Sequence, residues 1–471
     1  MVYNLTSVLM IHIQGRDSVA ENNITAPTTP SNTQHQQPHY MPVKWHETVK
    51  EGTTRASDAT LEERSDIVGR VGTMMLSVGT GAWRVIDSMD TIARTLSMDC
   101  VADVGLTSIS FTCMSGTQSH TAAFSIPATG VNTEKLRRLE HFVDDFAVHG
   151  QDMTLQEIHS SLDSIQHTKA GYTPLEAGLS SGAACAGFTF LLGAGPIEMA
   201  IAFIGAFVGN WFRRHLIDWK LSLIPNVTAS VAAACVVSIL CYMAAEQFLG
   251  IAASHEAGYL CAMLFVIPGF PLITGGIDLV KSNMRSGLER LAYALLIITV
   301  ATFTGWIVAQ FLNFHPADFI GVDLDPMARI VLRLICSFVG VFGFSQMFNS
   351  TPRMAATSGV VGMIANTLRL ELVDLAGAAP AVAAFIGALC AGLLASRVHR
   401  RMHYPRIVVS VPSIVIMVPG LYMYRAVYDL AIGSNAVGAT WLFNALFIVL
   451  ALPLGLIIAR TLTDKRFRVC D

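Results

Sequence analysis

Charge is scarce in this sequence. Only 14% of its 471 residues are Asp, Glu, Lys or Arg, against roughly 25% in soluble domains. Hydrophobic residues make up 52% and the mean hydropathy is +0.51, so lipid is expected to solvate much of the chain. Basic residues are not in excess: the net charge of −3 leaves no electrostatic case for a nucleic-acid partner. The nine cysteines form no CxxC pair, and Cys185, Cys235, Cys241, Cys261, Cys336 and Cys390 lie inside apolar runs. They read as small core fillers, not as disulfides or metal ligands. Residues 61–170 also lack a GxSxG elbow, an HExxH helix, a GxxxxGK[ST] phosphate loop and a GxGxxG turn, so neither an enzyme nor a cofactor is expected.

The first residues do not read as a signal peptide, because Val8–Ile13 is too short and no basic segment precedes it. Insertion is therefore expected to be driven by internal helices. From about Asp17 to Lys50 the chain is rich in Thr, Asn, Gln, Pro and His. Such a composition cannot bury enough apolar surface to fold, and residues 1–60 are expected to form a disordered tail.

Residues 61–170 then read as a soluble α/β domain. Ile67, Val71, Met74, Met75 and Val78 recur at helical spacing up to Gly79, and Trp83–Leu96 is a second amphipathic helix. Val101–Cys113 and His120–Ile126 read as strands around a Ser115-Gly116-Thr117 turn, followed by helices near Thr133–His149 and Thr154–Ile165. His120, His141, His149, His159 and His167 are too dispersed for a metal cluster and read as solvated. Asp87, Asp90 and Asp99 read as a wet helix face.

Ten apolar segments follow, near 177–194, 197–212, 226–249, 257–277, 288–312, 327–348, 354–372, 378–396, 407–427 and 438–459. Most approach the ~20 residues that cross a bilayer. Alternate connections carry the cations: Arg213, Arg214 and Lys220; Lys281, Arg285 and Arg290; Arg353; Arg397, Arg400, Arg401 and Arg406; then Arg460, Lys465, Arg466 and Arg468. The connections between them have no Lys or Arg. The positive-inside rule then places both termini in the cytoplasm of a multi-pass plasma-membrane protein.

One motif occurs twice. VIPGFPLITGGID runs from Val266 to Asp278 and MVPGLYMYRAVYD from Met417 to Asp429. The prolines are 419 − 268 = 151 residues apart, and the aspartates 429 − 278 = 151. Pro196 with Pro352 and Asn210 with Asn366 are weaker correspondences at an offset of 156. Ten spans divide into five and five, and an odd number per half inverts one half relative to the other, as transporters use to alternate access. The expected fold is an α-helical polytopic membrane protein with ten transmembrane helices as 5+5 inverted repeats. The repeats would cover 171–312 and 313–460, behind an N-terminal cytoplasmic α/β domain and before a cytoplasmic tail of 461–471.

Proline removes a backbone donor and clashes with the preceding turn. Pro268-Gly269, reinforced by Pro271, is expected to break span four, and Pro419-Gly420 to break span nine. Broken ends can face a polar solute, although such kinks also simply shape packing. Asn226, at the start of span three, is a polar candidate for the path. Arg329, Arg333, Arg369 and Arg425 sit in outer halves of their spans. Arg425, between the second break and Asp429, is expected to line a vestibule, and Arg329 and Arg369 to snorkel. Asp278 and Asp429 would bind a substrate ammonium or carry a coupling proton; the alternative for Asp278 is an interfacial pair with Lys281. Glu198 and Glu371 read as interfacial.

Four segments carry a resemblance: LSVGTGAWRVIDSMDTIA (76–93), LFVIPGFPLITGGIDLVKSNMRSGLERLA (264–292), FNSTPRMA (348–355) and VPSIVIMVPGLYMYRAVYD (411–429). With PGFPL followed by Asp278, and VPG followed by Tyr424, the chain resembles the threonine/serine exporter family from Ile67 to Arg460. The resemblance implies a proton-driven, ten-helix exporter of threonine and serine with a cytoplasmic α/β domain. Two-subunit relatives, which resemble the two halves as separate chains, are associated with succinate export, so a small dicarboxylate stays open as substrate. Assembly into a homo-oligomer stays open too, as does a membrane sensor. One departure stands out: the family usually has an acidic or hydroxyl residue where Gly81 and Ala82 stand here.

Overall fold

The computed structural model describes residues 54–468 apart from 128, 169–170, 251–257, 313, 315–318 and 320. Most of the expected 1–60 tail lies outside the described residues. Its last part is tied down: Arg55 bridges to Thr154, the Ala56 amide donates to the Met153 carbonyl over 2.9 Å, and Ala56 is fully buried.

Helix α1 (Leu61–Ser77) starts at a capping box in which Thr60 and Glu63 satisfy each other's amides. It stops at Gly79, whose φ of +83° suits a residue without Cβ. Helix α2 (Ala82–Thr95) leads to three antiparallel strands, β1 (Asp99–Val104), β2 (Ser108–Ser115) and β3 (Gln118–Ser125), in the order β1-β2-β3. The strand expected over 101–113 is thus two strands. Gly105 breaks the run, and its amide closes the turn onto the Ser108 carbonyl at 2.8 Å. Helices α3 (Thr133–His149) and α4 (Leu155–Gln166) complete this part. The sheet lies on α1 at Gly69, where a Cβ would come within 2.7 Å of Phe111 and 2.6 Å of Phe124. His159 is not solvated as expected. It is buried under Arg70, with Nδ1 2.8 Å from a guanidinium nitrogen, and the same guanidinium pairs with Asp163.

The rest is helical: α5 (Pro174–Leu191), α6 (Pro196–Asp218), α7 (Leu223–Leu249), α8 (Gly258–Ala262), α9 (Gly269–Val280), α10 (Met284–Phe311) and α11 (Pro326–Met347). Then come α12 (Pro352–Ala376), α13 (Pro380–Met402), α14 (Arg406–Val415), α15 (Gly420–Ala431), α16 (Asn435–Thr463) and α17 (Lys465–Arg468). Helices α5, α6, α11, α12 and α13 begin on proline, whose missing amide costs nothing in a first turn. Helix occurs at every expected span. Among the described residues, α7, α10, α11, α13 and α16 are long and apolar enough to cross a membrane, and two bent pairs, 258–280 and 406–431, bring the number to as many as seven.

Helices α5 and α11 cross on small residues. A Cβ on Gly187 would lie 2.8 Å from the Cys336 carbonyl, and one on Gly343 would lie 2.4 Å from the Ser180 carbonyl. Since 343 − 187 = 156 and 336 − 180 = 156, the two contacts are the same contact made twice. In the segment after 460, the described residues are packed: α16 runs to Thr463, and Phe467 of α17 packs edge-on to Trp83 at 5.9 Å.

Candidate functional site

Both Pro-Gly pairs break their helices, and in the same way. The backbone at Pro268 has φ −81° and ψ 60°; at Pro419 it has φ −82° and ψ 57°. The Gly269 amide donates to the Ile267 carbonyl at 2.8 Å, and the Gly420 amide to the Val418 carbonyl at 2.9 Å. Each is an inverse γ-turn centred on proline. The axes bend by 58° at the first and 47° at the second. Helices α9 and α15 have 12 residues each, and each is followed by a residue of positive φ, Ser282 at +64° and Gly433 at +84°.

The breaks cross each other. A Cβ on Gly269 would sit 3.1 Å from Val415 and 3.3 Å from Val418; one on Gly420 would sit 2.1 Å from Ile267 and 3.0 Å from Leu264. Because 418 − 267 = 151 and 415 − 264 = 151, these contacts are also reciprocal. Reciprocity of this kind is the mark of a twofold relation. The carbonyls of Ile267 and Val418 accept the glycine amides and so do not face a solute. Pro271, in the first turn of α9, is half-buried.

Beyond the crossing, the two ends differ. At the α15 end the Tyr424 hydroxyl meets that of Tyr259 at 2.9 Å, and Tyr428 stacks on Tyr424 at 6.3 Å. Both Tyr259 and Tyr424 are buried. The guanidinium of Arg425 lies over the Trp441 ring at 5.1 Å, and Asp429 is half-buried. Asn226 is elsewhere: it is buried in the first turn of α7, with its amide directed at the Arg213 carbonyl over 3.4 Å.

At the α9 end, Asp278 is fully buried and paired with Arg290 at 3.2 Å, not with Lys281. Its Oδ2 also accepts from the Ser286 hydroxyl at 3.0 Å and from the Ala82 amide at 3.1 Å. Arg290 in turn donates to the Thr80 carbonyl at 2.7 Å and to the Gly79 carbonyl at 3.4 Å. The turn between α1 and α2 is thereby clasped to the end of the first broken span. Oδ1 of Asp278 is buried with no hydrogen-bond partner among the described residues, and a Cβ on Gly81 would lie 2.8 Å from it. The departure at Gly81 therefore faces the paired carboxylate directly. Lys281 instead sits over the Phe467 ring at 3.6 Å.

Next to this clasp is a cavity of ≈ 50 Å³ between α9, α13, α14 and α16, with Trp83, Ser396, Arg406, Ser410, Arg460 and Phe467 in its lining. The Arg460 guanidinium lies 4.2 Å from the Trp83 ring and 4.5 Å from the Phe467 ring. Arg406 and Arg460 share Asp464 at 3.6 and 3.4 Å.

The family described as "Putative threonine/serine exporter" matches residues 66–312, more than half of the chain, and "Threonine/Serine exporter, ThrE" matches residues 333–462. The chain belongs to the threonine/serine exporter family. A "Probable threonine/serine exporter" of Mycobacterium tuberculosis is 22% identical over 416 residues, 85% of this chain and 76% of that protein. The "Probable succinate transporter subunit YjjP" of Escherichia coli is 25% identical over 239 residues, half of this chain and 90% of that one. No solved structure matches at a significant level. As a member of this exporter family the protein is a multi-pass membrane transporter, and the paired breaks lie one in each family match.

Several residues at the site were not singled out by the sequence. Arg290 reads as a loop cation, yet it is buried inside α10. Its signal was Ser286 four residues earlier, which places both on the helix face that meets Asp278. Tyr259 stands nine residues before Pro268, as Ser410 stands nine before Pro419. Of the two acidic groups near span ends, Glu198 is buried and accepts the Gly195 amide at 3.0 Å, and Glu371 pairs with Arg333 at 2.7 Å. Arg369, expected to snorkel, turns onto Asn366 at 3.0 Å.

Proposed function

We propose that this protein is a secondary active exporter that carries threonine or serine out across the plasma membrane, driven by the proton gradient. Its ten spans form two inverted five-helix repeats, with both termini and the N-terminal helices and sheet in the cytoplasm. The observation that carries this reading is the reciprocal crossing of the two γ-turn breaks. A packing kink alone has no reason to recur with matched backbone angles and exchanged partners, whereas alternating access needs two halves that rock about a shared crossing. In this arrangement the Asp278 end faces the cytoplasm and the Tyr259–Tyr424 contact closes the outer side. The amino-acid carboxylate suits an arginine and its ammonium an aspartate, and Asp278 or Asp429 couples to protons.

Proteoliposome flux of L-threonine, with and without a pH gradient, tests this. Gradient-dependent flux is expected, and loss of that dependence in Asp278→Asn or in Asp429→Asn assigns the coupling carboxylate. The two arginines beside one cavity, with the succinate transporter subunit among the relatives, favour a second reading as a dicarboxylate exporter. Succinate flux without threonine flux would establish it, and no flux of either would sink both.

A further inference from the structure

The two halves match at their breaks but not about two and a half helical turns away. Nine residues before the break prolines stand Tyr259 and Ser410; nine after them stand Ile277 and Tyr428. Around α8 and α15, tyrosines fill the space: Tyr259 bonds to Tyr424, and Tyr428 stacks on Tyr424. Around α14 and α9, the corresponding serine and isoleucine leave the cavity. The volume is thus written into the sequence as small side chains at positions that are large in the other half.

We propose that this cavity is the receiving site for a small carboxylate coming from the cytoplasm, with Arg406 and Arg460 as its anchors and Trp83 as its lid. The inference rests on the exporter reading above and adds to it where the substrate is first held.

Charge supports the assignment. The buried and half-buried side chains around the cavity include Arg84, Arg406, Arg460 and Lys281, against Glu140 and Asp464. Arg84 is paired with Glu140, and Asp464 is shared by Arg406 and Arg460. One shared carboxylate leaves guanidinium capacity unused, and an arginine fork matches a carboxylate in geometry as well as sign. A carboxylate ligand would lower the local excess of positive charge.

The lid follows from connectivity. Trp83 adjoins Ala82, whose amide is held by Asp278, and its ring lies against Arg460. With the ring down, ≈ 50 Å³ holds about a carboxylate group or one to two waters. A whole amino acid needs the ring to lift, and lifting it pulls on the clasp at Asp278.

The test uses the full chain in proteoliposomes, with L-threonine and succinate as separate probes. Arg406→Gln and Arg460→Gln are each expected to raise KM for the transported probe about tenfold, with Vmax within threefold. Ser410→Tyr, which installs the side chain of the matching position and changes no charge, is expected to abolish flux of that probe. Should a glutamine variant fail to insert, Arg406→Lys and Arg460→Lys keep the charge and lose the fork, and a three- to tenfold rise in KM is expected. Wild-type KM in the arginine variants, or wild-type flux in Ser410→Tyr, overturns the proposal while leaving the exporter reading intact. Absence of wild-type flux for both probes overturns the exporter reading itself.

Discussion

The amide of Ala82 donates to Oδ2 of Asp278 over 3.1 Å, although 196 residues separate them. Helix α2 has no side-chain cap of its own, because Gly81 stands at its N-cap. A carboxylate from the bent span supplies what the local sequence omits, and it favours the positive end of the helix dipole. The N-terminal part is therefore joined to the membrane part by a charged clasp as well as by apolar packing.

That clasp predicts a steep asymmetry between single and double substitutions. Asp278→Ala strands Arg290 without its counter-charge and should cost roughly 3–5 kcal/mol. Asp278→Leu combined with Arg290→Met should recover most of the loss. Thermal unfolding of the detergent-purified protein measures both, and a double variant no better than the single would argue against the pairing.

Gly81 allows a finer test. A Cβ there meets the unpartnered Oδ1 of Asp278 at 2.8 Å. Gly81→Ala adds the crowding alone, whereas Gly81→Ser adds a hydroxyl that can donate to that oxygen. The serine variant should exceed the alanine variant in stability by about 1 kcal/mol, read as a difference in unfolding midpoint.

At the crossing, Gly420→Ala forces a methyl to within 2.1 Å of Ile267. Flux should fall at least tenfold. Adding Ile267→Ala should restore a substantial part of it, since the partner then vacates the volume. Measured flux that falls in the double variant as far as in the single would mean that the breaks do not need to touch.

The tyrosine pair makes a hydroxyl–hydroxyl bond inside an apolar setting. Tyr259→Phe or Tyr424→Phe alone leaves one buried hydroxyl unmatched, costing about 1–3 kcal/mol, while replacing both should be close to neutral. A double-mutant cycle on unfolding midpoints should give a coupling energy clearly different from zero.

Outside the spans, Glu134 offers a pH prediction. Burial alone would raise its pKa, but hydrogen bonds and ion pairs from Arg137 and Arg138 outweigh it and hold the carboxyl below its usual range. A depressed carboxyl pKa contributes stability that is complete above the unfolded value and is lost as pH falls through the folded one. Unfolding midpoints should therefore drop on acidification below about pH 4.5, and Glu134→Gln should flatten that drop.

Much of this architecture was legible because apolar periodicity and proline are local signals. Helix lies at each of the ten expected segments, and Pro268 and Pro419 break theirs as backbone chemistry requires. The misreadings are of two kinds. Gly105 was hidden in a strand-like run, because a three-residue turn costs only one glycine in the sequence. Arg290 and His159 were misplaced because partners 210 and 89 positions away determine their burial, and the alternative pairing of Asp278 with Lys281 gave way to Arg290. Hydropathy sees a charged residue near a span end and assigns it to water; only the fold reveals the charge that waits for it.

The crossed γ-turns carry an evolutionary consequence. Each glycine's clearance is set by an aliphatic side chain of the opposite half, so enlargement on one side must be answered by reduction on the other. Neither half can drift in size at this place by itself. Where related halves are encoded as separate chains, the same constraint would act between genes, and residues corresponding to Ile267 and Gly420 would have to change together or not at all.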